Sequence, residues 1–319
     1  MNMLGKFEGR RMHYTIKHLR YTEAAARHGS ITAAAEALAV SPSSIAAAID
    51  GIEAQLGQPV FVRQPSRGVA ATRYGRQFLD ELRALLAAQS RFDRRIGEID
   101  RGVDGTVRIA CFTPMAPIML PTILTEVRNR HPNLVTHVFE GSVTEIITAV
   151  EDGSADLAIG YSDLMPTNGP FIPLFTAYPH AALPRAHPLA SGDYVTLEQL
   201  AAEPLVVLDH EHSRKYLMGL FAARDLRPNV VYSARTTDTM RSLIAAGLAY
   251  GVFNIRPIVK QNYGTGDLVR LPLAGDHDSP RAGIFHRDDA RLGSVASAVV
   301  AACREQAAAG AFEPAIVRP

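Results

Sequence analysis

Residues 29–57 read GSITAAAEALAVSPSSIAAAIDGIEAQLG, and this stretch decides the reading of the N-terminal part. Ser30 is placed to cap a helix running through ITAAAEALAV. Ser41 caps another, with Pro42 where proline suits a helix start. In that second helix Ile45, Ile49, Ile52 and Leu56 are spaced four, three and four apart. This is one apolar stripe on a 3.6-residue period, so these four are core residues. Gly57 ends the helix. Only a few residues separate the two helices, as in a helix-turn-helix, whose second helix enters the major groove. Yet its outward side offers Ser43, Ala46, Ala47 and Asp50, with no Arg, Lys, Asn or Gln.

Upstream, KHLRYTEAAARH (17–28) is helix-compatible and stops at Gly29. Downstream, PVFVR reads as a strand, QPSRG as a turn carrying Arg67 and VAAT as a return strand, together an arginine-tipped wing. A generic three-helix protein-binding domain is the other reading of this segment. From Thr72 the pattern becomes a long helix. Phe78, Leu82, Leu85, Gln89, Phe92, Ile96 and Ile99 are spaced 4, 3, 4, 3, 4, 3, a heptad seam that predicts pairing with a second copy. Gln89 is the polar residue that would fix register. The alternative is a helix packed on its own domain; the heavily charged outer positions favour pairing. Gly102 and Gly105 close the helix.

Composition sets the frame. The chain has 319 residues, 47% hydrophobic and 20% charged, which suits a soluble protein of two or three domains. No apolar run approaches a membrane span, and the first residues lack a secretory signal. Two cysteines, Cys111 and Cys303, fit a reducing cytoplasm. Residues 1–101 carry 15 Lys and Arg against 10 Asp and Glu, a balance of +5, whereas the remainder stands at −4. A basic head on an acidic body points to a polyanion partner for the head.

The order of HLRY, GSITAAAEALAVSPSSIAAAIDGIEAQLG, PVFVR, RGVAATRYGRQFL and a long helix resembles the LysR-type transcriptional regulators. The resemblance runs from about residue 12 to about 305, through GTVRIACFTPMAPIMLPTILTEVRNRHPNL, EGSVTEIITAVEDGSADLAIG and MRSLIAAGLAYGVF. It implies a winged helix-turn-helix over 12–71, a dimerising linker helix over 72–103, and a two-lobed α/β domain over 104–319 that resembles periplasmic binding proteins. Lobe I would hold about 104–174 and 278–319, and lobe II about 175–277. Residues 1–11 have no counterpart in the family pattern. They are either an arm bearing Arg10 and Arg11 or a misassigned start before Met12.

Residue patterns in the second half agree. TVRIACF, ILTEVRNRH, LVTHVFE, VTEIITAVEDG and DLAIGY alternate strand-like and helix-like runs, which argues for a parallel α/β sheet. Ligands in such sheets sit beyond strand C-termini, near helix N-termini. That nominates CFTPMAP, with Phe112, Thr113, Pro114 and Met115, and VVLDHEHSRKY, with Asp209, His212, Ser213 and Arg214. Ser213 is placed to cap a helix and Arg214 to sit in its first turn, which suits an organic anion; alternatively Arg214 pairs at the surface with Glu211 or Asp209. Thr237, Phe253 and Asn254 are further candidates for the cleft, or for ordinary lobe core.

Other functions fit less well. Asp209, His210, Glu211 and His212 offer metal ligands, but no second cluster matches, so no metal or other cofactor is expected. Some family members sense oxidants with two cysteines in lobe II; Cys111 and Cys303 fall elsewhere. No GxSxG, HExxH, P-loop or GxGxxG marks an enzyme. A solute-binding protein would leave the head unexplained. The expected partners are promoter DNA with an interrupted palindrome, a small effector, a second copy of the chain in a dimer or tetramer, and RNA polymerase. DNA contacts would come from Ser41, Pro42, Ser43, Ser44, Ala46, Ala47 and Asp50 on the reading helix and from Lys17, Arg20, Arg63, Arg67 and Arg73 on phosphates. The bare face predicts weak base discrimination: it offers Ser43 and Ser44 hydroxyls and alanine methyls for thymine methyls, and Asp50 as an acceptor for a cytosine amine that would also repel phosphate. Specificity is therefore expected to lean on half-site spacing and on the arginine wing reading minor-groove shape.

Overall fold

A computed structural model describes residues 14–64, 68–98, 105–166, 169–258, 266–287 and 292–319. The chain divides into two compact units, Met1–Arg94 and Arg95–Pro319. Residues 1–11, Arg67 and Ile99 lie outside the described residues.

In the first unit α1 (Ile16–His28), α2 (Ile31–Ala37) and α3 (Pro42–Leu56) precede a hairpin of β1 (Phe61–Gln64) and β2 (Gly68–Ala71), after which α4 (Arg73–Glu98) begins. Local chemistry sets each boundary. Thr15, Ser30 and Ser41 accept hydrogen bonds from the backbones of His18, Ala33 and Ser44, and Gly29 and Gly57 close α1 and α3 in the left-handed region. The tight turn into α3 places Ala39, a non-glycine, at φ 51°. Ile45, Ile49, Ile52 and Leu56 are all buried, with Leu19, Ala25, Ala34 and Val60. Glu53 ties the end of α3 to the wing, its Oε1 accepting from Val60 N at 2.7 Å and Phe61 N at 2.9 Å. Gly68 has φ +84° and lies so close to α1 that a Cβ there would fall 2.0 Å from the Gly29 carbonyl oxygen.

The linker helix departs from the expected seam. Leu82 is 3% exposed and packs with Leu79 into the core of the head, and Phe78 lies partly buried beside them. Leu85, Phe92 and Ile96 are exposed. Gln89 is engaged within its own chain, accepting from Arg20 Nη2 at 2.8 Å and donating to Asp93. Phe78 and Leu82 thus pack on the head and also line an open groove along it, whereas Leu85, Phe92 and Ile96 are exposed on the later turns.

The second unit has two lobes. In lobe I, β3 (Thr106–Phe112) pairs in parallel with β4 (Val135–Gly141) and β5 (Leu157–Tyr161), within a sheet of order β4-β3-β5-β12-β6. β6 is Phe171–Thr176 and β12 is Arg281–Phe285. The sheet is mixed rather than wholly parallel: β12 runs antiparallel to both β5 and β6. It does so because the chain re-enters the sheet from the opposite end after building lobe II. Helices α5 (Ala116–Arg130), α6 (Val143–Glu151) and α10 (Ser294–Ala308) belong to this lobe, and Ile109, Met119, Ile146, Ile159 and Val299 share its core.

Lobe II holds β7 (His180–Pro184), α7 (Leu197–Ala201), β8 (Pro204–Leu208), α8 (Glu211–Ala222), β9 (Asn229–Ala234), α9 (Thr237–Ala245), β10 (Gly251–Phe253) and β11 (Leu268–Pro272). The parallel pair β8–β9 joins the antiparallel set β10-β7-β11 through a bridge between Leu205 and Tyr250. Two crossings connect the lobes, after β6 and before β12. They run side by side, with Ala177 N donating to Pro280 O at 2.9 Å. No single described helix is long and apolar enough to cross a membrane.

Candidate DNA-reading face and effector cleft

On α3, Ser43, Ala47 and Asp50 are exposed and fall on one line at spacings of four and three. Ala46 is half-buried, and Ala48 is core. Ser41 is the cap, and its hydroxyl also bonds those of Ser43 at 2.9 Å and Ser44 at 2.8 Å; Pro42 is the first helical residue. The charge of Asp50 is not left bare: Arg63 Nη2, on wing strand β1, donates to Asp50 Oδ1. Arg20 turns to Gln89 on the linker helix, and Lys17 lies over the Tyr21 ring, 5.6 Å from its centroid. Arg73 is exposed at the start of α4. Of the basic residues expected on phosphates, Arg63 and Arg20 thus hold partners within the head.

The cleft of the second unit opens between the lobes and is partly open to solvent. Phe112 and Pro114 line it from the first nominated loop, His212 and Ser213 from the second, and Thr237, Phe253 and Asn254 also reach it. Four expected residues do not. Met115 is fully buried in lobe I, because its N–H closes a turn onto Phe112 O at 2.8 Å and swings the side chain inward. Thr113 is held toward β4 by its N–H on Gly141 O. Asp209 and Arg214 are exposed away from the cleft. Helix α8 starts one turn earlier than expected, with His210 at the cap. Ser213 therefore lies inside the helix, and Arg214 faces outward.

The cation of the cleft is instead Arg241, 5% exposed on α9. Its Nη1 donates to Thr237 Oγ1 at 3.2 Å and Asp238 Oδ1 at 3.1 Å, and its guanidinium lies 5.2 Å from the centre of the Phe253 ring. Phe253 in turn stacks on buried His180. A readable signal existed: Arg241 stands four residues after Thr237, on the same helix face.

The floor is polar and tied to both crossings. Tyr216 donates to Asp278 O at 2.7 Å and accepts from Asn254 Nδ2 at 2.9 Å, while Asn254 also donates to Ala177 O. Burial raises the phenol pKa of Tyr216, and likewise that of Tyr161 on the opposite wall. Loss of water and the nearby Asp278 push the Asp163 carboxyl up. Phe112 of lobe I meets His210 of lobe II edge to face, with 6.1 Å between ring centres. Tyr161, Asp163 and Tyr216 escaped the sequence reading, since these loop and helix residues carry no mark of which wall they face. Cys111 and Cys303 are buried free thiols, the latter pushed up to about 12 by burial. A thiol so held carries little of the reactive thiolate.

A winged head with a solvent-facing reading helix, and a two-lobed unit with a cleft between its lobes, define a ligand-responsive DNA-binding protein. The family model for the bacterial regulatory helix-turn-helix protein, lysR family, matches residues 16–76, and that for the LysR substrate binding domain matches residues 100–308. The chain belongs to the LysR family and is a DNA-binding transcriptional regulator with an effector-binding domain, not an enzyme. It is 30% identical over 238 residues to the HTH-type transcriptional regulator CysB of Burkholderia cenocepacia, covering 72% of this chain and 74% of that one. Among solved structures it resembles HinK, a LysR family transcriptional regulator from Pseudomonas aeruginosa, at 27% identity and TM-score 0.61, over 92% of this chain and 99% of that one. CbnR complexed with its target DNA shares the fold at 20% identity and TM-score 0.55, over 92% and 100% of the two chains.

Proposed function

We propose that this regulator acts in the cytoplasm as a homodimer, and as a dimer of dimers, on an interrupted palindrome near a promoter, with a small organic anion as the effector in its cleft. The observation that carries the effector class is Arg241, a buried guanidinium on the wall of an otherwise mostly apolar cavity. Its Asp238 partner is two-thirds exposed at the surface, so the ion pair is screened on that side, and a guanidinium on the cleft wall suits a carboxylate by charge and by its planar fork. The apolar walls, with Phe112, Leu208, Met240 and Phe253, would hold the body of the ligand. Closure about the two crossings would then change how the heads are presented to DNA and to RNA polymerase. The ligand must bind one lobe arrangement better than the other, or it shifts nothing.

Dimerisation is supported by the exposed Leu85, Phe92 and Ile96 on α4 and by an apolar groove along the head lined by Leu19, Leu56, Tyr74, Phe78 and Leu82. Thermal unfolding of the full chain against a panel of small carboxylates and their neutral amides tests the effector class. Carboxylates should raise the melting temperature, since ligand at a hundred times Kd adds about 2.7 kcal/mol. Arg241→Met should abolish that gain. Stabilisation by neutral amides alone, undiminished in Arg241→Met, would overturn the proposal.

A further inference from the structure

We infer that Asp50, neutralised by Arg63, is the side chain that reads base sequence in the major groove, and that the base it selects is cytosine. The exposed line of α3 carries Ser43, Ala47 and Asp50. Alanine offers no hydrogen bond, and the hydroxyls of Ser41, Ser43 and Ser44 bond one another around the helix cap. Asp50 is therefore the one ionised group on that line, eight residues into the helix and about 12 Å along it. An acidic side chain there has a single strong base partner, the N4 amine of cytosine, because the other major-groove donor, on adenine, is best read by an amide.

A bare carboxylate would be repelled by the phosphate backbone, and that objection disappears in the folded head. Arg63 reaches from β1 and donates to Asp50 Oδ1. Among the described residues no donor is assigned to Oδ2, and the Asp50 and Arg63 side chains stay 59% and 57% exposed. The pair thus presents a charge-compensated acceptor to the groove, held by the wing. The same geometry predicts that Arg63 adds little to phosphate binding, because its charge is already committed.

Two measurements on the full chain test this together. Selection of binding sites from random DNA should give, for the wild type, a cytosine at one position in each half-site with about tenfold preference. Asp50→Ala should erase that position alone, and Asp50→Asn should convert it to adenine, a change of identity that a merely structural role would not give. In salt titrations of DNA binding, the double variant Arg63→Ala with Asp50→Ala should leave the slope of log K against log salt nearly unchanged, because it removes a pair with no net charge. Asp50→Ala should steepen it by about one, as the released Arg63 takes a phosphate. Two results would sink the inference: the same selected sequence from wild type and Asp50→Ala, or a slope that falls by about one in the double variant.

Discussion

Ala39 shows how one residue carries the geometry of the turn before the reading helix. It sits at φ 51° with an exposed side chain, so its methyl group contributes strain and no packing. The left-handed region costs an L-residue roughly 1–2 kcal/mol, partly offset by the greater unfolded freedom of glycine. Ala39→Gly should therefore stabilise the head by about 0.5–1 kcal/mol, read as a higher urea midpoint at unchanged m. His180 makes a second residue-scale prediction. It is 1% exposed behind Phe253, and burial pulls its pKa from 6.5 down to about 3, opposed by a hydrogen bond from the ring to the Tyr178 backbone, which favours the protonated form. Its neutral form suits the fold, so its contribution is full above pH 6.5 and is lost as pH falls from 6.5 toward 3. Stability should drop by about 1 kcal/mol between pH 7.5 and 5.5 on this account, and His180→Phe should remove that part of the slope. An unchanged slope in His180→Phe would assign the loss to other groups. Of such details the sequence announced little. It showed Phe253 as a cleft candidate, but not that His180 and Arg241 flank it, because both come from distant elements that meet only in lobe II.

Among the elements, the head was legible and the linker helix only partly so. The stripe of Ile45, Ile49, Ile52 and Leu56 is buried as its spacing demands, since one core claims one face of α3. On α4 two surfaces compete for a single heptad pattern. The head packs Phe78 and Leu82, while Leu85, Phe92 and Ile96 are exposed; periodicity alone does not say which surface each residue of one stripe meets. Substitutions should separate them. Leu82→Asp should destabilise the head by about 3 kcal/mol or more, seen as a lower melting temperature. Phe92→Asp with Ile96→Asp should leave melting of the head nearly unchanged and convert dimer to monomer in sedimentation; a persistent dimer would place the contact elsewhere. Strands β6 and β11 escaped sequence reading altogether. Each carries a proline, Pro173 or Pro272, a residue that counts against a central strand, and each lies at the edge of its sheet, where proline is tolerated.

For the whole molecule, the modest excess of basic residues sits in the same third of the chain as the reading helix. DNA affinity should fall steeply with salt through the head's remaining cations, and Arg73→Ala should flatten that dependence by about one unit of slope. An unaltered slope would take Arg73 off the phosphates. One earlier feature sets a mechanical scale for signalling. Helix α4 is fastened to the head at Leu79, Leu82 and, through Gln89, at Arg20, so head and helix must turn as one piece. Its 26 residues make a lever about 39 Å long. A base-reading face and a rod several turns long are therefore one body, and the face keeps its orientation to the rod whatever the rod is joined to.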